Sequence, residues 1–184
     1  MGMGDMFGRY DFWRIVIMKR VIVLGSPGAG KSFFSRKLRD KTGIALFHLD
    51  SIWQLPDKTT ISESEFDKKL MDILRKDSWI IDGNYERTLE RRLKYCDTIF
   101  LLDYPAEVCL AGAKERVERK RKEKPWLEGI VNKEIQQWII DFPKITLPYI
   151  NKLLEHFKDE KEIYIFRSRE DTNKYLESME RNCT

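Results

Sequence analysis

The sequence predicts an α/β protein: a parallel β-sheet covered by helices on both faces, three layers in all. Three observations predict it. Five short apolar runs rich in β-branched residues recur along the chain, with the length and composition of strands buried on both faces. Between them lie segments whose apolar residues recur at helical spacing, as crossovers between parallel strands require. The first run also ends in a glycine-rich stretch that opens directly into a helical pattern.

Val21-Ile22-Val23-Leu24, closed by Gly25, is the first strand, and a helix follows from about Lys31 to Asp40. Ile44-Ala45-Leu46-Phe47-His48-Leu49 reads as a second buried strand ending at Asp50. Ser62 and Glu65 form a capping box for a helix whose apolar face is Phe66, Leu70, Ile73 and Leu74. Trp79-Ile80-Ile81 is the third strand, stopping at Asp82-Gly83, and Thr98 to Leu102 is the fourth. Asp103-Tyr104-Pro105 then leads into a helix that runs into a basic segment. Ile135, Trp138, Ile139 and Phe142 mark a further helix that Pro143 ends or kinks, and Ile150, Leu153, Leu154 and Phe157 mark the next. Ile163 to Phe166 is the fifth strand, and a closing helix starts near Glu170.

A chain of 184 residues is long enough for one such core without disulfide staples. Residues 1–17 stand outside the periodic pattern, so they read as an N-terminal extension, with Met18 as an alternative initiator and 18–184 as a single domain. No apolar run approaches the roughly 20 residues that span a bilayer. Asp5, Arg9, Asp11 and Arg14 break up what an export signal would need, and the three cysteines suit neither a disulfide framework nor a zinc site. The expected location is the cytoplasm, away from any membrane. The formal charge of +4 is too small to demand a polyanionic partner, yet Lys114–Lys124 carries seven basic and three acidic residues and alone accounts for it.

Gly25-Ser26-Pro27-Gly28-Ala29-Gly30-Lys31-Ser32 matches GxxxxGK[ST] in full, in the strand-to-helix context that the pattern needs. The glycines let the backbone curl until consecutive N–H groups point inward at phosphate oxygens, and the helix adds its positive end. Lys31 is expected to reach the β- and γ-phosphates of ATP, and the Ser32 hydroxyl to ligate Mg2+. At the end of the third strand, Asp82 is expected to hold Mg2+ through water or to orient an acceptor, and Arg87 to spread positive charge over the transferring phosphoryl group.

Ile81-Asp82-Gly83 followed by Arg87-Thr88 resembles the Asp-Gly-x-x-Arg-Thr motif of adenylate kinases and related nucleoside monophosphate kinases, with Asn84-Tyr85-Glu86 one residue longer than the Phe-Pro of that family. A closer resemblance, over nearly all of residues 19–179, is to the adenylate-kinase-like proteins called DNA topology modulation proteins. It rests on the phosphate loop, His48-Leu49-Asp50-Ser51-Ile52-Trp53, Trp79 to Tyr85, Leu102-Asp103-Tyr104-Pro105, Arg116 to Arg121 with Pro125-Trp126, and Trp138 to Pro143. The resemblance implies a nucleotide-kinase fold with strand order 2-3-1-4-5, binding of magnesium-ATP, and lid arginines at Arg116 and Arg121.

The basic segment, near residues 114–130, has three readings: a short helical lid, a nucleic-acid patch, or a solvated face supported by the Glu115/Arg119 and Glu118/Lys122 pairs. The lid is preferred. Asp50 either accepts a proton from, or orients, an acceptor hydroxyl, or else caps a helix or bonds to a turn. His48 reads as a satisfied core histidine, Asp103 as structural, Trp53 and Trp126 as packing residues, and Arg91 and Arg92 as an anion lure or a solvated face. The expectation is an ATP-dependent kinase of a small acceptor. The alternative is an ATP-dependent regulator of DNA topology that binds DNA and phosphorylates no metabolite. A plain ATPase is weaker, because no dedicated water-orienting Gln or Glu stands beside the loop.

Overall fold

The computed structural model describes residues 18–55, 57, 59–123 and 131–180, with backbone alone for 119–123 and 180. The elements run β1 (Arg20–Gly25), α1 (Lys31–Thr42), β2 (Leu46–His48), α2 (Leu49–Trp53), α3 (Glu63–Leu74), β3 (Trp79–Asp82), α4 (Glu86–Tyr95), β4 (Thr98–Leu102), α5 (Ala106–Glu123), α6 (Lys133–Asp141), α7 (Thr146–Phe157), β5 (Glu162–Phe166) and α8 (Arg169–Glu180). The extension at 1–17 and the end of the expected lid at 124–130 lie outside the described residues.

All four strand pairings are parallel and the sheet order is β2-β3-β1-β4-β5. The predicted class and strand order are those observed. Strand side chains alternate faces, so the central strands feed two cores. Ile22, Leu24, Ile81, Ile99 and Leu101 pack against α3, α4 and α7 on one face. Val21, Val23, Ile80, Phe100 and Leu102 pack against α1, α5 and α8 on the other. Burying one such aliphatic side chain stabilises the fold by about 2 kcal/mol, so the three central strands dominate the core.

The edges differ from expectation. β2 spans only Leu46–His48 and is half-buried, and β5 is half-buried over most of its length. An edge strand has a neighbour on one side only, so an apolar run there need not be covered on both faces. The predicted strand at 44–49 is thereby shortened, and Leu49 and Asp50 turn into α2. At α3 the capping prediction is met: Ser62 Oγ accepts from Glu65 N at 3.1 Å.

The parallel order sends every strand's C-terminal end toward one edge. Gly25, His48, Asp82 and Leu102 terminate their strands there, and α1 and α4 begin there. Open α/β sheets bind ligands at this edge.

Candidate active site

β1 runs into the glycine-rich loop through a crowded turn. Gly28 has φ +80°, and a Cβ there would sit 2.0 Å from the Cys109 carbonyl oxygen in α5. Only glycine allows α5 to rest on the loop this closely. From the α5 side, a Cβ at Gly112 would meet the Gly28 oxygen at 2.3 Å. Gly30, at φ +93°, is the N-cap of α1, whose first turn contains no acidic residue to offset its positive end. Ala29 N donates to Ser26 O at 3.2 Å and closes the turn. Pro27 is half-buried between these glycines, and Ser32 is the second residue of α1.

The Lys31 ammonium lies over the loop, donating to Gly25 O at 2.9 Å and Ser26 O at 3.1 Å. Desolvation lowers its pKa below the ordinary lysine value, the negative charges of Asp82 and Asp50 oppose that shift, and Arg116 reinforces it. Lys31, Asp82, Asp50 and Arg116 therefore share one electrostatic neighbourhood.

Asp82 closes β3 and is 4% exposed. The β2–β3 register sets His48 directly beside it, and His48 Nδ1 donates to Asp82 Oδ1 at 2.8 Å. The other carboxylate oxygen, Oδ2, is buried without a hydrogen-bond partner. A buried carboxylate oxygen without a partner is costly and marks a place for a ligand. His48 is not a core histidine, since its side chain is 30% exposed and its ring serves Asp82.

The segment after Asp82 is held tightly. Asn84, 6% exposed, accepts from Gly25 N at 3.2 Å and donates to Gly25 O at 3.0 Å, clasping the main chain of Gly25 from both sides. Tyr85 has φ +40°, the only positive φ outside glycine among the described residues. Its ring stacks on Phe66 at 5.3 Å, and its hydroxyl donates to Asp50 Oδ1 at 3.0 Å. Burial, followed by the charge of Asp50, raises the Tyr85 pKa and keeps the hydroxyl a donor.

Arg92 enforces this conformation. It is fully buried in α4 and donates to Gly83 O at 2.9 Å, Tyr85 O at 3.2 Å and Asn84 O. Burial draws its pKa down to about 9, while three carbonyls accept from its two terminal nitrogens and the buried Nε has no hydrogen-bond partner. The solvated-face and anion-lure readings of Arg92 are thus corrected. Leu89, Arg92 and Leu93 together form the buried face of α4, and an arginine in that apolar stripe was the available signal.

Arg87, the second residue of α4, is directed at α3. Its guanidinium makes a two-pronged pair with Asp67 at 2.7 and 3.1 Å, and Glu63 lies 3.7 Å away. Arg91 joins the same carboxylate at 3.3 Å. Asp50 is exposed in the first turn of α2, whose N-cap position belongs to His48, so the capping alternative for Asp50 is also corrected. Trp53 packs edge-on to Phe66, and Asp103 pairs with Arg167. Arg116 is exposed on α5, and Glu115 reaches Arg169 at 3.5 Å. The Arg121 side chain and Trp126 lie outside the described residues.

Ser32 and Asp82 are the donors available for a magnesium ion. Among the described residues no cluster of three or more His, Cys, Asp or Glu forms a closed metal cage. Mg2+ is commonly held by one or two protein oxygens together with substrate phosphates and water, so the unpartnered Asp82 oxygen and the Ser32 hydroxyl fit that role. A depression of about 540 Å³ at the opposite edge is lined by Lys19, Arg20, Asp77, Lys94, Cys96 and Lys161. Carboxyl ends of helices gather there, and the lysines offset their partial negative charge, so no ligand is assigned to it.

The chain is 33% identical over 98 residues to adenylate kinase of Thermotoga neapolitana, covering 52% of this chain and 44% of that protein. It is 28% identical over 103 residues to adenylate kinase of Thermosipho melanesiensis, covering 54% and 47%. The chain thus spans less than half the length of the curated relatives it matches. No protein-family model matches. Among solved structures, shikimate kinase from Acinetobacter baumannii in complex with shikimate superposes with a TM-score of 0.55 at 20% identity, over 89% of this chain and 94% of that one. The chain has the fold of P-loop kinases and is similar in sequence to adenylate kinases.

Proposed function

We propose that this protein is a magnesium-ATP-dependent phosphotransferase, a nucleotide-kinase-like enzyme that passes the γ-phosphate to a small acceptor. The observation that carries the reading is that one sheet edge holds both Lys31, on its glycine-rich loop and within the electrostatic reach of Asp82, and the buried, unpartnered Asp82 Oδ2. The similarity to adenylate kinases supports it.

In this reading the main-chain N–H groups of Gly28, Gly30, Lys31 and Ser32 cradle the phosphates. Lys31 follows the β- and γ-oxygens and stabilises charge as it moves toward the leaving group. Ser32 and Asp82 hold the metal ion, which neutralises phosphate charge when bound. His48 keeps Asp82 from rotating. Asp50, steadied by the Tyr85 hydroxyl, orients the acceptor on the α2–α3 side. Arg116 and Arg121 supply positive charge from a lid near 114–130, whose closure excludes water. Arg87 forms the acceptor-side wall with Asp67 and is recruited to the transferring group only when that pair opens.

The fuller resemblance to DNA topology modulation proteins belongs to the same proposal, with residues 18–184 as one cytoplasmic domain and 1–17 as an extension to it. The basic run Lys114–Lys124 favours one second reading, a regulator that binds DNA in an ATP-dependent manner. Neutralising Arg119, Lys120 and Lys122 would then remove a salt-dependent DNA affinity.

Calorimetry with magnesium-ATP, followed by ADP release in a panel of nucleotides and hydroxylated metabolites, tests the proposal. Binding with acceptor-dependent ADP release is expected. No nucleotide binding overturns the whole reading, and binding with no phosphorylated product across the panel overturns the kinase assignment.

A further inference from the structure

We infer that Asn84 is a positioning residue that frees Lys31 to engage phosphate, an inference that rests on the magnesium-ATP reading above. Lys31 Nζ donates to two main-chain oxygens, Gly25 O at 2.9 Å and Ser26 O at 3.1 Å. To reach a β- or γ-phosphate oxygen the ammonium must leave both. Gly25 and Ser26 are buried, so a carbonyl deserted there would lose a charged donor with little water to replace it.

Neither carbonyl is deserted. Ser26 O already accepts from Ala29 N at 3.2 Å, and Gly25 O already accepts from Asn84 Nδ2 at 3.0 Å. A carbonyl oxygen has two lone pairs, so each takes Lys31 on one and a permanent donor on the other. The two permanent donors differ in origin. Ala29 N is main chain and comes with the turn itself, whereas Asn84 comes from β3's far end, 59 residues away, and is a choice of side chain.

Asn84 is also prevented from turning away. Its Oδ1 accepts from Gly25 N at 3.2 Å, so a flipped amide would lose both bonds at once. Its own carbonyl accepts from the buried Arg92. The amide is thus a fixed second donor to Gly25 O, and the ammonium is a removable one. Without Asn84, Gly25 O holds Lys31 more tightly, and nucleotide must compete with it.

Asn84→Leu tests this, with magnesium-ATP affinity measured by calorimetry on the full chain. The expected result is affinity weakened about tenfold, the size of one lost buried hydrogen bond. Because Asn84 acts through Lys31, the same substitution in a Lys31→Met background, read as the melting shift at millimolar nucleotide, is expected to change affinity less than about twofold. Equal losses in both backgrounds would show that Asn84 merely shapes the loop and would overturn the inference. So would unchanged affinity in Asn84→Leu.

If Lys31→Met leaves no measurable binding, basal ATP hydrolysis decides. A raised KM with kcat intact supports release of Lys31, and a fallen kcat at unchanged KM refutes it. Asn84→Ala replaces the leucine variant should that fail to fold. Wild-type protein that binds no magnesium-ATP sinks the functional reading, whereas wild-type binding matched by Asn84→Leu sinks this inference alone.

Discussion

The two halves of the ligand edge are built from different materials. On the β1 side, the Gly25–Ser32 loop is shaped by main chain: positive-φ glycines, a helix end, and α5 resting on Gly28. On the β2–β3 side, the wall is shaped by side chains: Tyr85 on Asp50, His48 on Asp82, Arg87 and Arg91 on Asp67. Main-chain geometry admits few substitutions and, on the proposed reading, would recognise what all nucleoside triphosphates share. A side-chain wall is open to change, which would suit the acceptor half of the proposed kinase. Asn84 joins the halves, and Arg92 holds Asn84's segment from beneath.

The sharpest break in this contrast is Gly28→Ala. A methyl group 2.0 Å from the Cys109 oxygen, at φ +80°, forces loop and helix apart. A loss of about 4 kcal/mol in urea unfolding is expected, together with loss of nucleotide binding. Arg92→Met comes next. It removes the guanidinium donors to the Gly83, Asn84 and Tyr85 carbonyls, of which Tyr85 O keeps Thr88 N and Oγ1, while keeping apolar bulk, and about 3 kcal/mol of stability should go with them.

Asp82→Asn separates function from stability. Phosphoryl transfer should fall about 100-fold, roughly 2.7 kcal/mol in the barrier. Unfolding should show no loss of stability, because the change removes a buried charge whose Oδ2 has no partner and leaves an oxygen for His48. A clear loss of stability would make Asp82 a structural residue.

Tyr85→Phe deletes only the bond to Asp50. It should cost about 1 kcal/mol and raise the acceptor KM while leaving magnesium-ATP affinity alone, a result that would confine Tyr85 to the acceptor half. Asp67→Asn is the mildest. Its bond with Arg87 depresses the Asp67 pKa, so the pair's stabilisation is present above the unfolded value of 3.8 and is lost as pH falls through the lower folded value. The variant should flatten that acid limb of the stability curve by less than about 1 kcal/mol, because the pair is partly exposed.

The same division explains what was legible in the sequence. A phosphate loop declares itself because its glycines and lysine lie within eight neighbouring positions, and the central strands do because their apolar runs are unbroken. β2 is overread by the same rule, since an apolar run does not say that a strand will sit at the edge. The partners of Arg87 and Arg92 are invisible for another reason. Asp67 is 20 residues from Arg87, and Arg92 serves carbonyls, which carry no letter in the sequence. His48 and Asp82 meet only once the strand register is known.

The seating of α5 on Gly28 has a mechanical consequence. With Cys109 and Gly112 pressed against the loop, the first turns of the helix cannot tilt without disturbing the bed in which phosphates would lie. Beyond Gly112 the helix continues to Glu123, about 16 Å further at 1.5 Å per residue. On the proposed reading, a displacement of the loop where a phosphate enters would be carried along α5 toward Glu123.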